Sequence, residues 1–261
     1  MAEAAGLHYE LHGPPDAPPV ILSSGLGGSA GYWAPNLPAL ARNFRVIAYD
    51  HRGTGRSDRV IPVNTCVADM AADLLSLLDA EGIERAHVIG HALGGMIGIE
   101  AALSAPGRIG KLVLVNGWAQ LSPHTARCFD ARLALLHGSG PEAFLAAQPL
   151  FLYPPDWIAA HDEALQAEAA HHLAAFAGIE TTAARIAAVR AFSPSADDLA
   201  ALGETLVIAT RDDFLVPYAS ALALAEAIPS ADVATFDWGG HACNVTDPAS
   251  FERIVIDFLK D

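Results

Sequence analysis

Short, almost wholly apolar runs recur along this chain and alternate with longer stretches whose apolar residues return every three or four positions. The runs VILSS (20–24), FRVIAYD (44–50), AHVIG (86–90), KLVLVN (111–116), TLVIAT (205–210) and ADVATF (231–236) lack polar alternation. That is the pattern of strands covered on both faces of a parallel sheet. Between them lie helical periods. VADMAADLLSLLDAEG places Val67, Met70, Leu74, Leu77 and Leu78 on one face and stops at Gly82. LGGMIGIEAALSAPG stops at Pro106 and Gly107, and PYASALALAEAIP and DPASFERIVIDFLK follow the last two strands. Such alternation predicts a mostly parallel, doubly wound α/β sheet. It lapses over residues 118–200, where helical periodicity continues without a convincing strand. The expected organisation is a core of residues 1–117 and 201–261. A helical lid, 118–200, is inserted over the carboxyl edge of the sheet, where such sheets bind ligands.

Composition narrows the classes. The chain has 261 residues, 52% apolar and 17% charged, against a norm of about 25% charged, so disorder is excluded. A net charge of -15 argues against nucleic acid or an anionic membrane as partner and leaves a small-molecule substrate. Monomer and homodimer remain open. Residues 17–41 are uncharged, but four glycines and four prolines interrupt them, unlike a spanning helix. The amino-terminal MAEAAGLHYELHG has neither the basic nor the apolar region of a signal peptide. Cys66, Cys128 and Cys243 are too few and scattered for a disulfide framework or zinc site. A reduced, cytoplasmic setting is expected. His171 and His172 read as lid surface, and neither metal nor cofactor is expected.

Candidate chemistry falls at the ends of the strands. Gly90-His91-Ala92-Leu93-Gly94 has the shape of a nucleophile elbow, G-x-S-x-G, with Ala92 where the serine belongs. SSGLGGSAGYW (23–33) is a glycine-rich turn around Gly25. It can aim backbone N–H groups at a developing anion, with Leu26 and Leu93 as donors. TRDDFLVP (210–217) supplies an acidic pair, and GGHACN (239–244) a histidine, His241. Elbow, acid and histidine follow one another as in an α/β-hydrolase triad. Ser23, Ser24, Cys243 and His91 are other conceivable nucleophiles, but each reads more simply as a turn, core or packing residue. Trp118, His124, Phe151, Tyr153 and Trp157 are candidates for the pocket wall, or for the lid's own core.

DHRGTGRSD (50–58) resembles the D-x-R-G-x-G-x-S signature of α/β-hydrolases. DDFLVP resembles that family's acid motif, whose aspartate stands four residues before the proline, which selects Asp213 over Asp212. SGLGGSAGYW, GHALGG, VNGW, QPLFLYP and GGHACNVTDP together resemble the D-protein family of the Rut pyrimidine-utilisation pathway. The resemblance spans nearly the whole chain and is weakest over the first dozen residues and from about 160 to 200. It implies hydrolysis of carbamate or aminoacrylate in uracil breakdown. Members of that family also carry alanine in the elbow, which favours Ala92 being natural.

Deleting the nucleophile of an acyl-transfer enzyme costs on the order of 10⁶ in kcat. Carbamate and aminoacrylate need no acyl-enzyme. Each needs a proton donor, expected to be His241 oriented by Asp213, and a held anion. The readings left open are a hydrolase relic that binds a small acid or a pathway partner, and a serine ester or lactone hydrolase whose nucleophile was replaced by alanine. Cofactor-free His-Asp oxygenase chemistry is a further alternative.

Overall fold

The computed structural model describes residues 2–62 and 64–261. Eight strands form one sheet: β1 (Ala2–Ala4), β2 (Leu7–His12), β3 (Pro19–Ser23), β4 (Arg45–Tyr49), β5 (Ala86–His91), β6 (Ile109–Val115), β7 (Thr205–Thr210) and β8 (Ala231–Phe236). Their order is β1-β2-β4-β3-β5-β6-β7-β8. The six strands from β4 to β8 are parallel, and β1 and β2 add an antiparallel margin. The α/β-hydrolase architecture anticipated from the apolar runs is the one observed.

The amino-terminal hairpin was not anticipated. It turns at Ala5 and Gly6, both at positive φ, a two-residue turn matched to strand twist. At the opposite edge, β8 departs from the doubly covered pattern, because nothing among the described residues pairs beyond it and Val233 is 48% exposed. The run also carries Asp232 and Thr235, polar positions that an edge strand tolerates.

Helices cover both faces: α1 (Leu37–Leu40), α2 (Val67–Ala80), α3 (Leu93–Ser104), α4 (Pro123–Ala146), α5 (Gln148–Leu152), α6 (Pro155–Ala174), α7 (Ile179–Ala191), α8 (Ala196–Ala200), α9 (Tyr218–Glu226), α10 (Cys243–Thr246) and α11 (Pro248–Lys260). Val67, Met70, Leu74, Leu77 and Leu78 of α2 are buried together with α3 and α9 against one face of the sheet. Phe251, Val255 and Leu259 of α11 pack with Trp33, Leu40 and Phe44 on the other. α4 to α8 intervene between β6 and β7, and α4 breaks at Gly140 (φ 85°) before Pro141. Thr125 of α4 donates to the Leu215 carbonyl (3.0 Å), and Arg185 of α7 to the Leu26 carbonyl (3.1 Å). These contacts set the helical segment over the loops at the carboxyl edge. Among the described residues, no helix is long and apolar enough to cross a membrane.

Candidate active site

β5 hands directly into α3 through one residue, Ala92, at φ 47° and ψ -108°. So sharp a strand-to-helix turn requires close packing. A Cβ on Gly90 would lie 2.4 Å from the Gly94 carbonyl, and one on Gly94 only 1.9 Å from the Ser23 carbonyl oxygen. The glycines are therefore set by contact between α3, β5 and β3. The elbow is complete in backbone and lacks only a hydroxyl.

The loop after β7 presents Asp213 and the loop after β8 presents His241. His241 Nδ1 lies 2.7 Å from Asp213 Oδ2, and both side chains are buried. Asp213 Oδ1 accepts from the amides of Leu215 and Val216, each at 2.8 Å. Both carboxylate oxygens are thus engaged, which fixes the carboxylate plane and, through it, the imidazole. With Nδ1–H donated to Asp213, the lone pair of neutral His241 sits on Nε2. That atom has no protein partner among the described residues. Asp212 instead accepts from the Gly239 and Gly240 amides (3.3 and 2.9 Å) and braces the histidine loop.

The backbone of His241 is gripped as firmly as its ring. Its carbonyl accepts from Asn116 Nδ2 (2.8 Å) and from His91 Nε2 (2.9 Å). Asn116 directly follows β6 at positive φ and also accepts from the Thr210 amide (3.0 Å), which joins three strand ends. His91 lies between Tyr32 (ring centroids 4.9 Å apart) and His241 (4.6 Å). Burial, reinforced by the neighbouring His241, pushes the His91 pKa well below the ordinary histidine value. Neutral and donating through Nε2, it keeps its Nδ1 lone pair unmatched. It is a packing and positioning group with no geometry for attack.

The amides of Leu26 and Leu93 donate to no acceptor among the described residues. Leu93 opens α3, whose first N–H groups point out of the helix. A pair of free amides beside an elbow is suited to an anion. The D-x-R-G-x-G-x-S segment braces this loop. Asp50 accepts from the Ala30 amide (2.8 Å) and from Arg56 Nε (2.8 Å). Burial pushes its carboxyl up, but those donors outweigh burial and hold it below the usual range.

The other candidates separate clearly. Ser23 Oγ bonds Tyr49 (3.0 Å) and His51 (3.3 Å), so it belongs to a different network from His241. Ser24 is buried with its hydroxyl unpartnered, as is the Trp118 indole N–H. Burial pushes the Cys243 thiol up to about 12, and its sulfur faces Asn116 (3.9 Å). Tyr153 stacks on Trp157 at 4.3 Å, and His124 bonds the Phe214 carbonyl (2.5 Å). Phe151 packs 6.2 Å from Phe214. His171 and His172 are exposed. Tyr32, Asn116, Arg132 and Arg185 were not singled out as site residues by the sequence. The positive φ of Asn116, directly before a glycine at a strand end, has the clearest sequence signal, N-G.

The chain belongs to the α/β-hydrolase family: the family described as alpha/beta hydrolase fold matches residues 18–248. Within it, the chain is 49% identical over 257 residues (98% of this chain, 96% of the relative) to "Putative carbamate hydrolase RutD" of Caulobacter vibrioides. Identity to the protein of that name from Agrobacterium fabrum is 47% over 259 residues (97% and 98% of the two chains). It is therefore a member of the RutD family. Among solved structures, the enol-lactonase from Burkholderia xenovorans LB400 is similar at a TM-score of 0.89 and 27% identity, covering 100% of this chain and 99% of that one.

Proposed function

We propose that this protein is a hydrolase of pyrimidine catabolism that releases ammonia from a small C–N substrate, carbamate first and aminoacrylate second, without a covalent intermediate. The observation that carries this reading is a buried, fully oriented His241–Asp213 pair beside an elbow that holds Ala92. The RutD relatives, named for carbamate hydrolysis, support it.

Protonated at Nε2, His241 donates to the carbamate nitrogen. The C–N bond then breaks, its electrons pass to nitrogen, and ammonia and carbon dioxide leave. For aminoacrylate, the same proton goes to carbon. Water adds to the resulting iminium, and ammonia departs. Asp213 stabilises the imidazolium before transfer and restores its orientation afterwards. The Leu26 and Leu93 amides hold the oxygen on the reacting carbon as the C–N bond breaks. With alanine in the elbow, the space a serine hydroxyl would fill is free for a small anion or a water.

Ammonia release from freshly prepared carbamate, with and without protein, tests the proposal. Acceleration that disappears in His241→Ala supports it. An accelerated rate that His241→Ala retains in full would overturn the acid–base role, and no acceleration of either substrate would leave a binding protein.

A further inference from the structure

Arg132 is buried, at 4% exposure, on the inward face of α4 beside Thr125, Cys128, Phe129 and Leu136. Its guanidinium centre lies 5.4 Å from the Phe129 ring, 5.5 Å from Phe144 and 5.6 Å from Phe151. One Nη donates to Gln148 Oε1. Nε has no partner, and no carboxylate among the described residues forms an ion pair with this arginine. In a chain with 30 acidic residues, a buried cation left without an anion is anomalous, because aromatic faces return only part of its lost hydration.

The place of this cation gives the anomaly a meaning. α5, which supplies Gln148 and Phe151, also supplies the Leu152 carbonyl that accepts from Ala242, next to His241 (3.1 Å). Two turns back along α4, Thr125 is bonded to Leu215, two residues beyond Asp213. Phe129 also faces Trp118 (6.3 Å), whose buried indole N–H is a second unmatched donor. The wall between the lid and the His241–Asp213 loops is therefore aromatic, with one cation and two idle N–H donors. Arg185, the other buried arginine without a carboxylate, does not fit this role. Its Nε is also unpartnered, but its two Nη atoms serve the Arg52 and Leu26 carbonyls and His51, which ties it to the turn at Leu26 and not to the aromatic wall.

We propose that Arg132 is the anchor for a substrate carboxylate, held by its unpartnered Nε–H under Phe129, Phe144 and Phe151, so that this site selects small monocarboxylates over neutral molecules of the same shape. The proposal rests on the reading of the His241–Asp213 region as a substrate site, but not on turnover. Burial lowers the Arg132 pKa to about 10, so the anchor stays charged at neutral pH.

Equilibrium binding of propionate and of its uncharged isostere propionamide, by titration calorimetry in chloride-free buffer, tests it. Wild type should bind propionate and discriminate against propionamide. Arg132→Met should weaken propionate binding by at least ~30-fold. Its unfolding temperature should be unchanged or raised, since a buried charge is removed. An Arg132→Met protein that is folded and binds propionate as wild type does would overturn the proposal. Should that variant not fold, wild type decides alone: equal affinity for propionate and propionamide overturns it. Propionate binding that needs Arg132, without ammonia release from any substrate, would keep the anchor and discard the proposed reaction.

Discussion

Asp213 holds His241 through one carboxylate oxygen at 2.7 Å and is itself held through the other by two backbone amides at 2.8 Å. A pair mounted this rigidly fixes the direction of one nitrogen, Nε2. Asp213→Asn replaces the oxygen that receives Nδ1–H with a group that can present N–H instead, which favours the wrong tautomer. Asp213→Asn and His241→Ala should each lower ammonia release by about 10² to 10⁴-fold, with KM little changed. Steady-state assays at neutral pH check this. A loss seen in KM alone would make the pair a binding device.

The alanine elbow makes an opposite prediction. Its backbone already has the geometry of a nucleophile turn, and free amides stand beside it. Ala92→Ser should therefore gain hydrolysis of p-nitrophenyl acetate by at least ~10²-fold, with burst kinetics from an acyl-enzyme. The same variant should not gain ammonia release, because no step in that reaction uses the hydroxyl. A faster carbamate reaction in Ala92→Ser would show that nucleophilic attack limits it.

Packing at the elbow can be tested without any substrate. A methyl group on Gly94 would sit 1.9 Å from the Ser23 carbonyl oxygen, which is backbone and cannot swing aside. Gly94→Ala should cost at least ~2 kcal/mol of unfolding free energy, as overpacking against a fixed wall does. Gly138→Ala, where a Cβ meets nothing within 4 Å, is the matched control. Denaturant unfolding separates the two.

The parallel strands were legible because burial on both faces leaves uninterrupted apolar runs, and the order of elbow, acid and histidine followed from their places after those strands. The hairpin was not. Leu7, Tyr9 and Leu11 do alternate with polar residues, but its turn uses Ala5-Gly6 in place of the usual Asn-Gly. Arg132 was illegible for a different reason. A charge on a helix normally marks the solvent face. Here phenylalanines from α4 and α5 enclose it, and only the tertiary structure brings Phe144 and Phe151 onto Arg132. The Gly25–Leu26 turn could be located in the sequence, whereas the arginine that braces it lies 159 residues away.

Two buried histidines should make stability acid-sensitive. Burial, with Arg185 beside His51 and His241 beside His91, holds both well below the ordinary value of 6.5. Neutral when folded and protonated when unfolded, each gains a proton on unfolding below about pH 6.5. The unfolded state then binds more protons, so stability falls as pH drops. The slope is up to ~1.4 kcal/mol per pH unit for each histidine. His51→Gln should flatten the wild-type slope between pH 6.5 and 5 by about one such increment, measured by urea unfolding at several pH values. An unchanged slope would mean that His51 is charged in the folded protein.

Arg185 joins α7 to the Gly25–Leu26 turn, and its removal should damage catalysis more than substrate capture. Nη1 donates to the Arg52 carbonyl at 3.0 Å, and Nη2 to the Leu26 carbonyl and His51 Nδ1 at 3.1 Å each. These acceptors diverge, so a lysine ammonium, a point donor on a flexible stem, cannot reproduce the fork. The Leu26 carbonyl and N–H lie in adjacent peptide units that share the Leu26 Cα, so a turn freed at the carbonyl can shift that N–H through the Leu26 backbone dihedrals. Loss of one such donor costs about 10² to 10³ in kcat, and partial misorientation should cost up to ~10². Arg185→Lys should therefore lower kcat for ammonia release while leaving the Kd of propionate within about threefold, because the Arg132 wall is untouched. Hydrogen exchange should quicken in the loop from Gly25 to Ala30 and in α7. A variant that loses propionate binding and kcat together would instead place both arginines on one ligand.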